Sequence, residues 1–465
     1  MNPNFSRRHS NKKRRRVDEK ADKISDLPDA LLLLILSLIP TVDVVRTCVL
    51  SKRWTSLWEH VPKLDYSYKT DKKMSHQFVH RFLISRKPCL LESMRLIVGS
   101  DCEAINVPIW IKYAVEHGLR ELELDPYSEK GNIRLPTSIY ACKTLEVLTL
   151  KYCVHVDVPN TPLCFKSLKI LNLQLVHFKN AESVRRLFSS CPNLEKLDVK
   201  RYVDNVVNFT IEVPSLKSLT IHDCSDGDGR RGYVINAPSL KYFSIKGMKD
   251  YEFSIENMPE LREAKIIDVF DINTEKILRP LASSVKRLSL SLSPLETRYA
   301  DSIVFSQLVY LELSTSKIEW WNLLMVLLLN SSKLQVLKLT RDVRNLLKLC
   351  VTFWVNFDES KTLVFLICSQ EPKKSHTGRM SNPQFYKPVN VPPCLLFCLQ
   401  RLEWERYNGL HDEERQIAMY ILTNAKHLKE ARFSTKNSDM KEKFEMLKVL
   451  AREPRASPSC QFFFE

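Results

Sequence analysis

Glycine is scarce, with nine residues in a chain of 465. Loops that cradle phosphates rely on glycine to bring the backbone against the ligand, so a nucleotide site of that type is disfavoured. No G-x-x-x-x-G-K-[ST], H-E-x-x-H or G-x-S-x-G pattern occurs, which removes the common sequence signatures of phosphate, zinc-protease and serine-hydrolase chemistry. One G-x-G-x-x-G, formed by Gly227, Gly229 and Gly232, follows a strand-like run, but the residues after it, YVINAPSLKYFSI, lead into another strand. No helix N-terminus would then meet a pyrophosphate, and the segment reads as a polar loop. The thirteen cysteines stand singly, without a C-x-x-C; the closest couple, Cys394 and Cys398, has no second pair nearby. That is the usage of reduced thiols in an intracellular protein, not of a zinc site or a disulfide framework. The eleven histidines form no cluster with the cysteines at metal spacing. No apolar run approaches the ~18 residues of a membrane span; Leu323–Leu329 and Leu363–Cys368 are far too short. The N-terminus is polar and basic, the first apolar run starts at Leu31, and the Asn208-Phe209-Thr210 sequon therefore carries no weight. The expectation is a non-enzyme with no cofactor, no metal and no membrane contact.

Positive charge is what the chain has in excess, +16 net. Arg7, Arg8, Lys12, Lys13, Arg14, Arg15 and Arg16 precede the first acid, and the rest of the excess is spread along the chain. This distribution does not make the whole protein a nucleic-acid binder. Residues 1–21 are polar and without periodicity, the composition of a disordered tail. Within them KKRRRV, with Lys12, Lys13, Arg14, Arg15 and Arg16, is the kind of short basic cluster that import receptors read as a nuclear address. The plain alternative is a solvated charge run with nonspecific affinity for RNA or membrane. Nucleus and/or cytoplasm is the expected location.

The stretch around which the chain is organised is ISDLPDALLLLILSLIPTVDVVRTCVLSKRWTSLWEHVPKLDY, Ile24 to Tyr66. Pro28 suits a first helical position, with Ser25 or Asp26 as cap. From Leu31 to Ile39 the helix is apolar nearly all round: Leu31, Leu34, Ile35 and Leu38 on one side, Leu32, Leu36 and Ile39 on another. Pro40 ends it, Thr41 caps a second helix through Leu50, and Ser51 caps a third that carries Trp54, Leu57 and Trp58 on one face. A helix with no polar side must be covered on every side, and three short helices cannot supply the cover. Either the rest of the chain or a separate partner does so.

The rest of the chain is repetitive. L-x-x-L-x-L or a close variant begins at Leu119, Leu145, Leu168, Leu194, Leu216, Leu240, Leu261, Val285, Leu308 and Leu334, at intervals of 26, 23, 26, 22, 24, 21, 24, 23 and 26 residues. That is the period of leucine-rich repeats. Each unit supplies one strand whose alternate residues point inward, neighbours pair in parallel, and the array folds only as a stack. Linking segments such as 181–191, with Val184, Leu187 and Phe188 at helical spacing, form the other side. The periodicity stops at Arg341, and no physical account emerges for the piece up to residue 390. It returns at Leu399 (LQRLEW) and Leu428 (LKEARF), with a helix between them that carries Ile417, Tyr420 and Ile421 on one face.

LPDALLLLILSLIP, VVRTCVLSKRW, LW and VP-LDY, in this order and spacing, resemble the F-box of the plant F-box/FBD/leucine-rich-repeat protein family, and the segment from VPPCLLFCLQRLEWERY onward resembles the FBD domain. The resemblance covers about 24–66, 90–340 and 390–465. It departs at Ala30, where many members carry Glu, and at Leu34, where a polar residue is usual; both changes make the helix greasier and raise the aggregation hazard of free protein. The fold class implied is an α/β solenoid: a disordered basic tail (1–21), an all-α F-box (22–66), a linker (67–94), a leucine-rich-repeat arc (95–340), an irregular insertion (341–390) and an FBD domain that continues and caps the stack (391–465).

The function implied by the resemblance is a substrate-recognition subunit of a Skp–cullin–F-box (SCF) ubiquitin ligase. Its F-box would dock a Skp-type adaptor, and through it a cullin, by Leu27, Pro28, Ile35, Leu36, Ile39, Pro40, Leu50, Ser51, Lys52, Arg53, Trp54 and Trp58. The arc would hold a target on residues between the leucines. The first unit offers Glu121, Glu123 and Asp125; later units offer Lys151, Lys196, Lys200, Lys246, Lys265, Arg287 and Lys338 against Asp198, Glu263 and Glu312. The expectation is a target with an acidic contact region. Two alternatives stay open: a ligand-gated receptor of similar architecture, which clustered Lys and Arg at a polyphosphate site would mark, and nucleic-acid binding by the basic tail, which steep salt dependence would mark.

Overall fold

The computed structural model describes residue 24, residues 27–68, 77–86, 89–99, 102, 105–126, 133–152, 154–160, 165–201, 206–223, 231–248, 251–256, 258–269, 274–292, 303–314, 320–341, 390–409, 412–435, 440–452 and 454–465. The basic cluster Lys12–Arg16, the caps expected at Ser25 and Asp26, and all but the ends of the 341–390 segment lie outside them.

Fifteen parallel strands form one sheet in chain order, from Lys63–Ser67 to Gln461–Phe464. The period-2 pattern of each repeat is the reason. In Val147–Lys151 burial alternates strictly, with Leu148 and Leu150 inward and Val147, Thr149 and Lys151 on the open face; Ile170–Gln174 and Tyr310–Ser314 repeat it. The inward leucines stack across strands, Leu122 on Leu148, Leu148 on Leu171 and Leu171 on Leu197, and each is 1 % exposed or less. A second regularity sets the register. The carbonyl just before each strand accepts two N–H groups from the next unit: Arg120 from Glu146 and Val147, Glu146 from Lys169 and Ile170, Lys169 from Glu195 and Lys196.

The sheet begins before the first L-x-x-L-x-L unit. Lys63–Ser67, at the end of the F-box stretch, pairs with Ser93–Val98, which pairs with Glu121–Pro126. The F-box is thereby joined to the stack by backbone hydrogen bonds. It also runs on across the unexplained segment: Val336–Thr340 pairs directly with Arg401–Glu405, residue for residue. The FBD part then adds Glu430–Phe433 and Gln461–Phe464.

Behind the sheet, the links are partly helical, as in Ala181–Ser189, where Val184, Leu187 and Phe188 are buried and the Asn180 side chain caps the first turn. Elsewhere they form two small sheets, Ile133–Arg134 with Val154–Val156 and His177–Phe178, and Asn208–Glu212 with Gly232–Asn236 and Glu252–Ile255. Gly232 of the G-x-G-x-x-G thus opens a strand, as the sequence suggests. In the FBD part, helix Asp412–Asn424 buries Ile417, Tyr420 and Ile421, and Trp404, Tyr407 and Phe433 pack ring to ring, with centroids 5.1 to 6.1 Å apart.

Candidate partner-docking surfaces

The first surface is on the F-box. Helix Asp29–Leu36 starts after Pro28, and Thr41–Arg46 starts after Pro40, so both prolines stand just outside the helices they introduce. Thr41 is not a cap; its hydroxyl accepts the Asp65 N–H at 2.7 Å and ties the second helix to the first strand of the sheet. The third helix expected from Ser51 does not form. Residues 52–56 are turns and Leu57–His60 is a single 3-10 turn. Trp54, in the turn, and Leu57, at the start of the 3-10 piece, are both drawn into the small core of Leu32, Leu36, Val44 and Val61. Arg53 reaches back across the motif: its guanidinium donates to Asp29 at 2.9 Å through Nε and to the Leu27 carbonyl at 2.5 Å, which fixes the start of the first helix.

This core divides the expected adaptor residues. Pro28, Pro40, Ser51 and Lys52 are exposed, as are Ile35 and Leu50 at 45 % and 63 %; Leu27, Ile39, Arg53 and Trp58 are half-buried. Leu36 and Trp54, at 1 % and 5 %, are core residues and have no surface to offer a partner. The apolar side chains that the helix does expose include three not assigned a contact from the motif: Leu31, Leu34 and Leu38, exposed by 47 %, 60 % and 76 %. With Ile35 they follow i, i+3, i+4, i+7 spacing and share one side of the helix. Val49, at 88 %, adds to Leu50 after the second helix. The signal was the all-round apolarity itself: one half of the helix covers the local core, and the described residues leave the other half exposed.

The second surface is the open face of the sheet. There most of the expected target-binding cations are occupied. Lys151 lies 2.6 Å from Glu123, which also meets Arg95 at 3.1 Å. Lys265 is 3.1 Å from Glu263, whose hydrogen bond holds its pKa above the usual lysine value. Lys338 bridges Glu405 at 2.8 Å and Glu312 at 3.3 Å; burial opposes its charge, yet the two carboxylates raise its pKa. Arg287 lies over the Tyr310 ring at 4.0 Å. The acidic start is likewise altered, because Asp125 is buried and only Glu121 is fully open. A cleft of about 500 Å³ between Ser37 and this start is lined by Lys63, Arg95, Glu121 and Glu123. Among the described residues Lys196, Lys200 and Lys246, like Arg287, have no carboxylate within 4 Å, although Lys196 still acts on the half-buried Asp198. Lys200, His222 and Lys246 stand in register on three adjacent strands.

Below this strip is a buried polar group that the repeat pattern gave no sign of. Arg201 and Asp223, the residues next after Lys200 and His222, turn inward and are 3 % and 0 % exposed, 3.8 Å apart. Tyr233 donates to Asp223 at 2.7 Å and accepts from Arg201 at 3.1 Å. Burial, above all, pushes the Tyr233 hydroxyl far above its usual pKa. Arg201 also donates to the Val206 carbonyl at 2.7 Å and stacks 4.5 Å over Phe209. The group locks the ends of the two strands that present Lys200 and His222.

Three family descriptions match the chain: "F-box domain" over residues 24–66, "FBD-associated F-box protein At5g56370, LRR repeats" over 107–269, and "FBD" over 387–433. Among curated proteins, the F-box/FBD/LRR-repeat protein At3g52680 of Arabidopsis thaliana is 41 % identical, over 97 % of this chain and 94 % of that protein. The putative F-box/FBD/LRR-repeat protein At3g49030 of the same plant is 42 % identical, over 96 % and 95 %. A third, At2g04230, is 41 % identical over 96 % and 97 %. Identity at this level along essentially the whole length, with the three matched regions in this order, places the chain in the F-box/FBD/LRR-repeat protein family.

Proposed function

We propose that this protein is the substrate-recognition subunit of an SCF ubiquitin ligase, holding a Skp-type adaptor with its F-box and a target protein with the open face of its sheet. The observation that carries the reading is the uncovered half of the first helix. Leu31, Leu34, Ile35 and Leu38, with Val49 and Leu50, expose large apolar side chains on a module whose small core of Leu32, Leu36, Val44, Trp54, Leu57 and Val61 is buried. A contiguous apolar patch on an otherwise folded surface marks a protein contact, and the F-box match supports a Skp-type adaptor as the protein that fills it.

The chain need do no chemistry in this role. Binding a target on one surface and the ligase core on another raises the effective concentration of target lysines near a charged ubiquitin carrier. The sheet supports the second half of the task, since solenoids offer extended binding faces and this one runs as one parallel sheet in chain order from Lys63–Ser67 to Gln461–Phe464.

The test is co-expression with a Skp-type adaptor. The wild-type chain co-purifies with it as a stoichiometric complex, and Leu27→Ala with Pro28→Ala abolishes the complex while far-ultraviolet circular dichroism keeps its strand signature. Undiminished co-purification of that double variant would remove the assignment.

A further inference from the structure

We infer that Gln461–Phe464, the strand that ends the sheet, pairs edge to edge with the same strand of a second copy of this chain, antiparallel about a two-fold axis beside Phe463.

The two edges of the sheet are built differently. At the first, Lys63–Ser67 pairs with Ser93–Val98 on one side. On its other side the Asp65 N–H donates to the Thr41 hydroxyl at 2.7 Å, so an F-box helix occupies the edge, and Lys63 and Asp65 put charges on it. Both features stop a sheet from adding a further strand. The last strand has neither. Gln461–Phe464 reads QFFF, without charge or proline, and among the described residues no strand lies beyond it. Its inward residues show the same lack of cover. Leu148, Leu171 and Leu197 in mid-sheet are fully buried, whereas Phe462 and Phe464 pack on the core and stay half-buried. A stack of repeats needs a polar cap on its last unit; this one ends on three aromatic rings.

Hydrogen bonds on the inner side fix which groups face out. The Gln461 and Glu465 N–H groups donate to the Lys429 and Phe433 carbonyls, and the Glu465 carbonyl accepts from Thr435. Successive residues of a strand aim their N–H and C=O to opposite sides, so Gln461, Phe463 and Glu465 face the sheet, and Phe462 and Phe464 present theirs outward. Two identical edges related by a two-fold axis run antiparallel, and antiparallel partners exchange both bonds at each hydrogen-bonded pair. Setting Phe462 opposite Phe464 of the second copy meets that rule twice and places Phe463 opposite itself.

The side chains fit the same register. Phe462 meets Phe464 on the core face and Phe463 meets Phe463 on the open face, all cross-strand aromatic pairs. Gln461 stands opposite Glu465, an amide donor against a carboxylate, and no like charges meet. Centring on Phe462 or Phe464 instead leaves one hydrogen-bonded pair within the strand and sets Phe463 against Gln461 or Glu465. The strand thus complements its own sequence, which selects a second copy as the partner. The contact lies at the edge opposite the F-box and leaves that module free. It also joins the open faces of two sheets, so that a target with two contact regions is held bivalently.

The test is sedimentation velocity of the full-length chain from about 1 to 100 µM. The wild type forms a reversible dimer. Phe463→Lys, which sets two ammonium groups against each other, makes it monomeric, and Phe463→Tyr keeps the dimer. Gln461→Lys, now opposite Glu465, tightens it about two- to thirtyfold through two equivalent pairs. A second measurement reads the register and decides alone should Phe463→Lys fail to fold. Residues at a non-hydrogen-bonded pair have Cα atoms about 4.5 Å apart, within disulfide reach. Phe463→Cys therefore cross-links under mild oxidation above the wild-type background. Gln461→Cys does not, because its mate is displaced along the strand by about 13 Å. A monomer at every concentration overturns the inference. So does a dimer indifferent to Phe463→Lys, or one that cross-links equally well through Gln461→Cys.

Discussion

Replacing Leu34 and Leu38 with serine separates docking from folding on the F-box. Both side chains point away from the small core and are 60 % and 76 % exposed, so their loss removes little burial from the free protein. Neither change touches Leu32, Leu36, Trp54 or Leu57, which hold the module together. In a complex that covers the helix, each leucine goes from mostly exposed to buried, which contributes about 1.5 to 3 kcal/mol for a fully exposed side chain and somewhat less here. The pair should therefore cost roughly 2 to 4 kcal/mol of adaptor affinity, a factor of about 30 to 1,000 in Kd. Biolayer interferometry with the Skp-type adaptor immobilised gives Kd directly, and most of the loss should show in koff. The melting temperature of the free chain should stay or rise, because an exposed apolar patch has been removed. A Kd within about threefold of wild type, with the protein still folded, would show that this half of the helix is not the docking surface.

Three further outcomes follow from named groups. Asp223→Ala leaves the buried Arg201 charge without its carboxylate and Tyr233 without its acceptor, so the urea midpoint should drop by the equivalent of about 3 to 5 kcal/mol; an unchanged midpoint would mean the group is dispensable. Glu414, buried on the helix Asp412–Asn424, accepts from the Asn408 N–H at 2.9 Å and lies 3.3 Å from Arg341. Burial pushes its pKa up to about 7. A carboxyl whose folded pKa is raised gives stability that is present in acid and lost as pH climbs through about 4.5 to 7, on the order of 3 kcal/mol in all. Glu414→Gln should therefore gain melting temperature relative to wild type as pH rises from 5 to 8, and a constant difference across that range would contradict the burial argument. Finally, we propose that Lys12 to Arg16 form a nuclear address: a fluorescent fusion with all five changed to alanine should turn cytoplasmic, whereas an unchanged distribution would mark the run as solvated charge only.

The parts of the architecture that repetition controls were legible before the structure. Leu148, Leu171 and Leu197 follow a pattern whose only stable solution is a parallel stack, and helix 412–424 follows from Ile417, Tyr420 and Ile421. What escaped is non-repetitive or depends on competition between partners. Nothing local says that Lys63–Ser67 is the first strand of the sheet, because its partner lies 30 residues on, at Ser93. The third F-box helix was a periodicity reading that Trp54 and Leu57 overrode by turning into the core. Of the seven cations expected on the target face, the chain itself neutralises Lys151, Lys265 and Lys338. Their partners sit one strand away or, for Glu263, two residues earlier on the same strand, and cross-strand register is invisible until the stack is assembled. Leu36 and Trp54 show the same limit on the F-box: a motif names residues, while burial decides which of them a partner can touch.

Hydrogen exchange on the full-length chain, free and saturated with the Skp-type adaptor, tests the central claim most directly. The account predicts new protection confined to residues 29–50, with Lys196–Arg201, Ser218–Asp223 and Tyr242–Lys246 exchanging as in the free protein, because the adaptor surface and the target face are separate. Protection spreading onto those strands, or none on the F-box, would contradict it.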